Sequence, residues 1–273
     1  MIEAPDLLPD ETALAARLLA AQAIAREAGQ LALRYSAAPA TLDVELKGPQ
    51  DFVTAADRAA ESLVRERLSE AFPEDAILGE EYPASGAPGS ASVVWAVDPI
   101  DGTANFVAGR PEWCVSIGAI VGDRPELGVI YHPALDDLYA AQAGHGATRN
   151  GQPILVRPCM QLADATVSLE YSVGTDIDRY LGLLEPLLRT GGEYRRDGSA
   201  ALALAQIAAG TLDGFIELHL NIWDVLAGIV LVREAGGWTS DFLAPGTLAA
   251  GNLMIAATPG IRDELLTVCN LGT

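Results

Sequence analysis

The sequence predicts an α/β protein of the α+β kind, and three features of the 273-residue chain predict it. Two early segments carry apolar residues at helical spacing. Short apolar runs punctuated by turn residues come next, up to about Val156, and beyond it strand-like and helix-like segments alternate. Half of the residues are apolar and 20% are charged, the composition of a chain that buries a core and not of a disordered one.

From Asp10 to about Tyr35, Leu14, Leu18, Leu19, Ala25 and Ala28 recur at roughly helical spacing, with Asp10 or Thr12 placed to cap the first turn. A second helix is expected from about Thr54 to Phe72. Ala59, Leu63, Val64 and Leu68 form its buried stripe and Pro73 stops it. Tyr82 to Ser92, dense in Pro, Gly, Ser and Ala, reads as a flexible loop. Val93 to Val97 is a continuous apolar run and reads as a buried strand. Val115 to Val121, Leu127 to Tyr131 and Leu138 to Ala141 are the next strands, with turn signals at Gly122-Asp123 and His132-Pro133. Asn150-Gly151 reads as a hairpin turn. Further strands are expected around Thr166 to Leu169 and Gly214 to Glu217, and helices at about Asp178 to Leu188, Ala200 to Ala209 and Asp224 to Ala235. The change of pattern puts a boundary near Arg157-Pro158, between an N-terminal α+β lobe (1–157) and a C-terminal α/β lobe (158–273).

Seventeen Lys and Arg stand against 37 Asp and Glu, a formal net charge of −20. Such a surface repels polyanions, so nucleic acid is not the expected partner, and anionic membranes are disfavoured for the same reason. A chain this acidic must overcome its own field to bind a small phosphate, and divalent cations are the direct means. Cys114, Cys159 and Cys269 are odd in number and widely spaced, which speaks against a disulfide framework or a zinc site. His132, His145 and His219 are scattered and read as structural or surface residues. Glu3, Asp6, Asp10 and Glu11 precede the first Arg, so no secretory leader is expected. The apolar runs are too short to span a bilayer. A cytoplasmic location fits these expectations.

The chemistry centres on Asp98-Pro99-Ile100-Asp101-Gly102-Thr103, directly after the apolar run ending at Val97. Two carboxylates at the end of a buried strand repel one another and must protonate or find a cation. Gly102 lets the backbone approach a ligand, and a helix starting near Thr103 would turn free N–H groups toward the same point. Glu80-Glu81 comes after a second strand-like run, Ala76 to Gly79. Asp57 falls in the first turns of the second helix, where a lone Asp would be a solvated residue. Asp224 opens an apolar segment and could equally serve the helix dipole.

The segments WAVDPIDGTANF, GEE and NIWDVLAGIVLVREAGG resemble the signature motifs of the inositol monophosphatase family. KGPQDFVTAADRAAE is similar to that family's first acidic motif and RRDGSAAL to its substrate-side loop; the resemblance runs from about Leu18 to Leu266. It implies a layered αβαβα sandwich, with N-terminal helices on a mainly antiparallel sheet and a C-terminal lobe around a mixed sheet. It further implies two or three Mg²⁺ ions. Glu80, Asp98 and the Ile100 carbonyl would hold the first ion, and Asp98, Asp101 and Asp224 the second. A third would lie near Glu80. Asp57 and Thr103 would orient and deprotonate the attacking water, with Glu80 also counted among the catalytic residues. The Gly102 and Thr103 N–H groups would hold phosphate, and Glu217 and Ala200 would contact the substrate. Lys47 matches a lysine on the phosphate side and Glu81 the second acid of the pair, behind the metal ligands. A homodimer is implied as well.

Asp98-x-x-Asp101 is not the DxDxT pattern of aspartyl-phosphate enzymes, and no Cys or His stands in a nucleophile motif, so direct attack by water is expected. Hard oxygen donors favour Mg²⁺ over zinc. The expected substrate is a small phosphate monoester, inositol 1-phosphate first, because Thr103-Ala104-Asn105-Phe106 resembles the inositol-type sequence and Glu217 suits a polyol. Histidinol phosphate is the alternative, with fructose 1,6-bisphosphate or a nucleotide 3′-phosphate behind it. The alternative of another class is a regulatory, protein-binding factor without catalysis.

Overall fold

Two sheets and three helical layers stack into an αβαβα sandwich, as expected. The structure is a computed structural model that describes residues 8–37, 44–48, 51–89, 91–172, 174–243 and 250–270, without the side chains of 46–48, 51 and 52. The outer layer pairs α1 (Glu11–Ser36) with α2 (Ala55–Ala71). Asp10 caps α1 by accepting the Ala13 N–H at 2.8 Å, and Ala21, Ala25, Ala28 and Ala32 form a buried stripe. A short hairpin, β1 (Val44–Gly48) and β2 (Asp51–Thr54), leads into α2.

These helices cover a sheet of seven strands: β3 (Ala76–Gly79), β4 (Val93–Asp101), β5 (Cys114–Val121), β6 (Arg124–His132), β7 (Asp137–Gln142), β8 (Ala147–Arg149) and β9 (Gln152–Ile154). Only the β3–β4 pair is parallel. Asn150 and Gly151 turn β8 into β9 with φ of 50° and 76°, the left-handed pair of a type I′ turn. The Tyr82–Ser92 segment, expected to be flexible, is tied back to β3: Ile77 and Ser85 exchange backbone hydrogen bonds of 3.0 and 2.9 Å.

The second sheet has the order β11 (Glu193–Arg195), β10 (Thr166–Leu169), β12 (Gly214–Leu220), β14 (Asn252–Ala257) and β13 (Trp238–Thr239). It is mixed, with β10 parallel to both neighbours and β14 antiparallel to both of its own. Its outer face packs on α4 (Ile177–Arg189) and α7 (Arg262–Val268). Between the sheets lie α5 (Ala200–Ala208) and α6 (Ile222–Glu234), whose apolar residues share one core with both. A helix hydrophobic on every side is the kind that a layer buried on both faces accepts. α6 lies very close to β5 and β6: a Cβ at Gly128 would stand 2.3 Å from the Ala227 carbonyl oxygen. That close approach carries the N-terminus of α6, and Asp224 with it, toward the end of β4.

Candidate active site

Strand register brings the first acids together. β3 runs parallel to β4 with Gly79 beside Val97, so Glu80, the residue after β3 ends, comes level with Asp98, which is still in β4. Across β4, Asp98 pairs with Ser116 and Asp101 with Cys114, and the register breaks between the two aspartates. The strand continues to Asp101, four residues beyond the apolar run, with Asp98, Ile100 and Asp101 all buried. The Ser116 hydroxyl, facing Asp98, donates to the Trp223 carbonyl at 3.1 Å. One serine thus links the strand beside Asp98 to the residue before Asp224. No sequence pattern marks it.

α6 begins at Ile222, two residues before its expected start, and Asp224 is its third residue, accepting the Asn221 N–H at 2.7 Å. Asp224 is therefore both a helix-end carboxylate and a member of the cluster. Burial, then the charges of Asp101 and Glu80, holds its pKa well above the usual carboxylate range. Burial does the same to Asp98, followed by Glu80, Asp101, Asp224 and Asp57. Asp101 rises to about 6, with burial the cause and opposing hydrogen bonds from Ser199 and the first turn of α5. Its Oδ2 accepts the Ser199 hydroxyl and, at 2.7 Å, the Ala201 N–H.

Asp57 is fully buried, not solvated. It closes a capping box at the start of α2, where its Oδ2 accepts the Thr54 N–H at 2.8 Å and the Thr54 hydroxyl at 2.5 Å. The T-x-x-D spacing of that box is legible in the sequence. Its Oδ1 lies 3.2 Å from the Thr103 hydroxyl, which is also 3.0 Å from the Ile100 carbonyl oxygen. Burial raises the Asp57 pKa against the hydrogen bonds of Thr54 and Thr103. Gly102 caps the short helix α3 (Thr103–Val107) at φ 96°, and a Cβ there would stand 2.9 Å from the Glu112 carbonyl oxygen. Only glycine fits that turn.

One turn beyond Asp57, buried Glu61 accepts the Glu81 N–H at 2.7 Å and the Tyr82 N–H at 3.3 Å, and pairs with Arg65 at 2.6 Å. α2 thereby holds the Glu80-Glu81 turn through its backbone. Glu217 lies on β12, buried, hydrogen-bonded to the Ser172 hydroxyl. Ala200 is the first residue of α5, where the expected helix over about Ala200 to Ala209 begins, and it is buried; Ser199 caps that helix through the Leu202 N–H. The side chain of Lys47 lies outside the described residues.

The donor set suits a hard divalent cation. Among the described residues, Asp57, Asp98, Asp101 and Asp224 have no Lys, Arg or His ion-pair partner, and the cluster is all oxygen. Among the described residues no three acidic, His or Cys side chains form a ready-made metal cage. The carboxylates raise one another's pKa, and a cation would relieve the repulsion that opposes their convergence.

Residues 14–269 match the inositol monophosphatase family. The chain is 36% identical over 254 residues to the Nus factor SuhB of Escherichia coli K12, covering 88% of this chain and 94% of that one. It is 40% identical over 233 residues to an inositol-1-monophosphatase of Rhizobium meliloti, covering 79% and 84%. The crystal structure of the extragenic suppressor protein suhB from Bartonella henselae superposes with a TM-score of 0.88 at 35% identity, covering 94% of this chain and all of that one. The chain belongs to the inositol monophosphatase family. The family is generally Mg²⁺-dependent and acts on small phosphate monoesters, which supports a phosphatase here.

Proposed function

We propose that this chain is a Mg²⁺-dependent phosphatase that hydrolyses a small phosphate monoester, with inositol 1-phosphate the first candidate, by direct attack of water. The observation that carries the reading is the Asp57–Thr103 pair, set beside Asp98 and Asp224, whose proton affinities burial and the charges of neighbouring acids push upward. Glu80, Asp98, Asp101, Asp224 and the Ile100 carbonyl are the groups that would hold two or three Mg²⁺ ions. Bound there, Mg²⁺ supplies positive charge and Lewis acidity to the phosphate oxygens and lowers the pKa of water.

The chain's own residues do the rest. Asp57 and Thr103 orient the attacking water and take up its proton, as a buried carboxylate of raised pKa is suited to do. The water oxygen bonds to phosphorus, the ester P–O bond breaks, the leaving alkoxide takes a proton from solvent water, and Asp57 returns its own proton to solvent. The N–H groups of Gly102 and Thr103 bind the phosphate, and Gly102 keeps the backbone close enough to do so. Glu217, midway along β12, receives hydroxyls of the alcohol beside Ala200. A cytoplasmic homodimer belongs to the same proposal; no helix among the described residues is long and apolar enough to cross a membrane.

The test is a panel of inositol 1-phosphate, histidinol phosphate, fructose 1,6-bisphosphate and a nucleotide 3′-phosphate, each with Mg²⁺ and with chelator. The highest kcat/KM is expected for inositol 1-phosphate; a far higher value for histidinol phosphate would move the assignment to that ester. The likeness to a protein named as a Nus factor favours a second, protein-binding role. A regulatory phenotype that persists in an inactive Asp98→Asn chain would establish it.

A further inference from the structure

Two polar residues outside the carboxylate cluster grip one peptide from opposite sides. Asn105, on α3, donates through Nδ2 to the Asp197 carbonyl oxygen and to the Glu112 carbonyl oxygen, both at 2.7 Å. Glu170, just past β10, is buried. Its Oε1 accepts the Asp197 N–H at 2.7 Å, and its Oε2 accepts the Gly198 N–H at 3.1 Å. The Ser168 hydroxyl holds the same Oε1 at 2.7 Å, and the Glu170 N–H is itself anchored on the Ile216 carbonyl oxygen at 3.0 Å. A Cβ on Gly198 would come within 3.2 Å of the Asn105 amide, so the contact is tight.

Ser199 is the next residue of the chain. Its hydroxyl and, through the Ala201 N–H, the helix it caps both donate to Oδ2 of Asp101. The clasp therefore joins the turn after β4, the end of β10 and the start of α5 in one chain of hydrogen bonds that ends on a buried carboxylate. Neither clasp residue is needed for the helix itself, which Ser199 already caps. A buried carboxylate satisfied by two backbone N–H groups, and a side-chain amide satisfied by two carbonyls, make a rigid pair of anchors.

We propose that Asn105 and Glu170 are positioning residues that hold the Asp197-Gly198 peptide so that Ser199 and the first turn of α5 set the Asp101 carboxylate for the cation. This rests on the Mg²⁺-phosphatase reading. Hydrogen bonds that aim a metal ligand are costly to lose, typically 10–100-fold in metal affinity or activity.

The experiment compares Asn105→Ala, Asn105→Asp and Glu170→Gln with wild type by two readouts: the Mg²⁺ concentration giving half-maximal hydrolysis, and the rise in Tm produced by Mg²⁺ alone. Each variant is expected to need about tenfold more Mg²⁺ or more and to gain less Tm from it. Asn105→Asp keeps the size but not the donors, so it must behave like Asn105→Ala. Because both residues act on one peptide, the double variant must fall short of the product of the single effects. Ser199→Ala leaves the clasp intact and removes one of the two hydrogen bonds that Asp101 Oδ2 accepts from this segment, the Ala201 N–H remaining; it must shift the Mg²⁺ midpoint in the same direction even if a clasp variant fails to fold. Asp213→Asn is the control for simple loss of stability. Asp213 binds Arg157 and the Thr166 N–H at the opposite end of the same sheet, so it lowers Tm without moving the Mg²⁺ midpoint. Clasp variants that lose Tm as the control does yet keep the wild-type midpoint would overturn the assignment and leave the phosphatase reading standing. A wild-type protein with neither Mg²⁺-dependent hydrolysis nor a Mg²⁺-dependent Tm would overturn that reading and this assignment with it.

Discussion

Glu217 sits where its charge is costly, and the cost should be visible in the pH dependence of stability. Its side chain is buried on β12. Burial, helped by the charges of Glu170 and Asp101 and opposed by the Ser172 hydroxyl, pushes its pKa from the ordinary 4.5 to about 8. The folded chain thus keeps a proton that the unfolded chain loses in acid. For an acid raised by folding, the stabilising contribution is complete below pH 4.5, is lost as the pH climbs from 4.5 to 8, and is constant above. One unit of pKa corresponds to about 1.36 kcal/mol. Between about pH 5.5 and 8 the metal-free protein should lose about 3 kcal/mol of unfolding free energy through this residue. Glu217→Gln keeps the shape and removes the titration. Urea unfolding of both proteins in chelator, at the two ends of that range, should show the variant gaining about 3 kcal/mol on wild type as the pH rises. Because Asp101 contributes to the shift, saturating Mg²⁺ should narrow the gap. An offset of the same size at both pH values would refute the burial argument, whatever its sign.

Asp98→Asn is expected to abolish Mg²⁺-dependent hydrolysis while raising the Tm of the metal-free protein, because it removes an acid that burial and four other acids force to take up a proton on folding. In a chain of this size each kcal/mol relieved is worth about 2–4 °C by calorimetry, and a Tm below that of wild type in chelator would contradict the repulsion. Thr103→Ala removes the hydroxyl that stands between Asp57 and the Ile100 carbonyl. Steady-state kinetics should show kcat falling about 10²-fold or more with KM little changed; an effect confined to KM would remove Thr103 from the water-orienting step.

Much of the site could be read from local pattern. Asp98 and Asp101 after Val93–Val97, and Glu80-Glu81 after Ala76–Gly79, announce themselves because acids at the ends of apolar runs need a reason. The mixed second sheet is expected only from the family resemblance, whereas the helices over 11–36 and 55–71 and the Asn150-Gly151 turn come from periodicity and turn chemistry in the same way as the acids. These are properties of residues within a turn or two of one another. What chain neighbours cannot reveal is which ends meet. Asp57 looks solvated on its own helix, and only the packing of α2 under the Thr103 turn makes it a buried acceptor.

The same holds for the groups that locate the acids. Ser116 binds a carbonyl 107 residues away, and Glu170 grips amides 27 and 28 residues away. An isolated Ser or Glu in a strand-like stretch carries no sign of such a partner. Local sequence chose the elements and put acids at their ends. The sandwich, by burying α5 and α6 between two sheets, decided that the acids share one low-dielectric space, and that shared space shifts their proton affinities and calls for a cation.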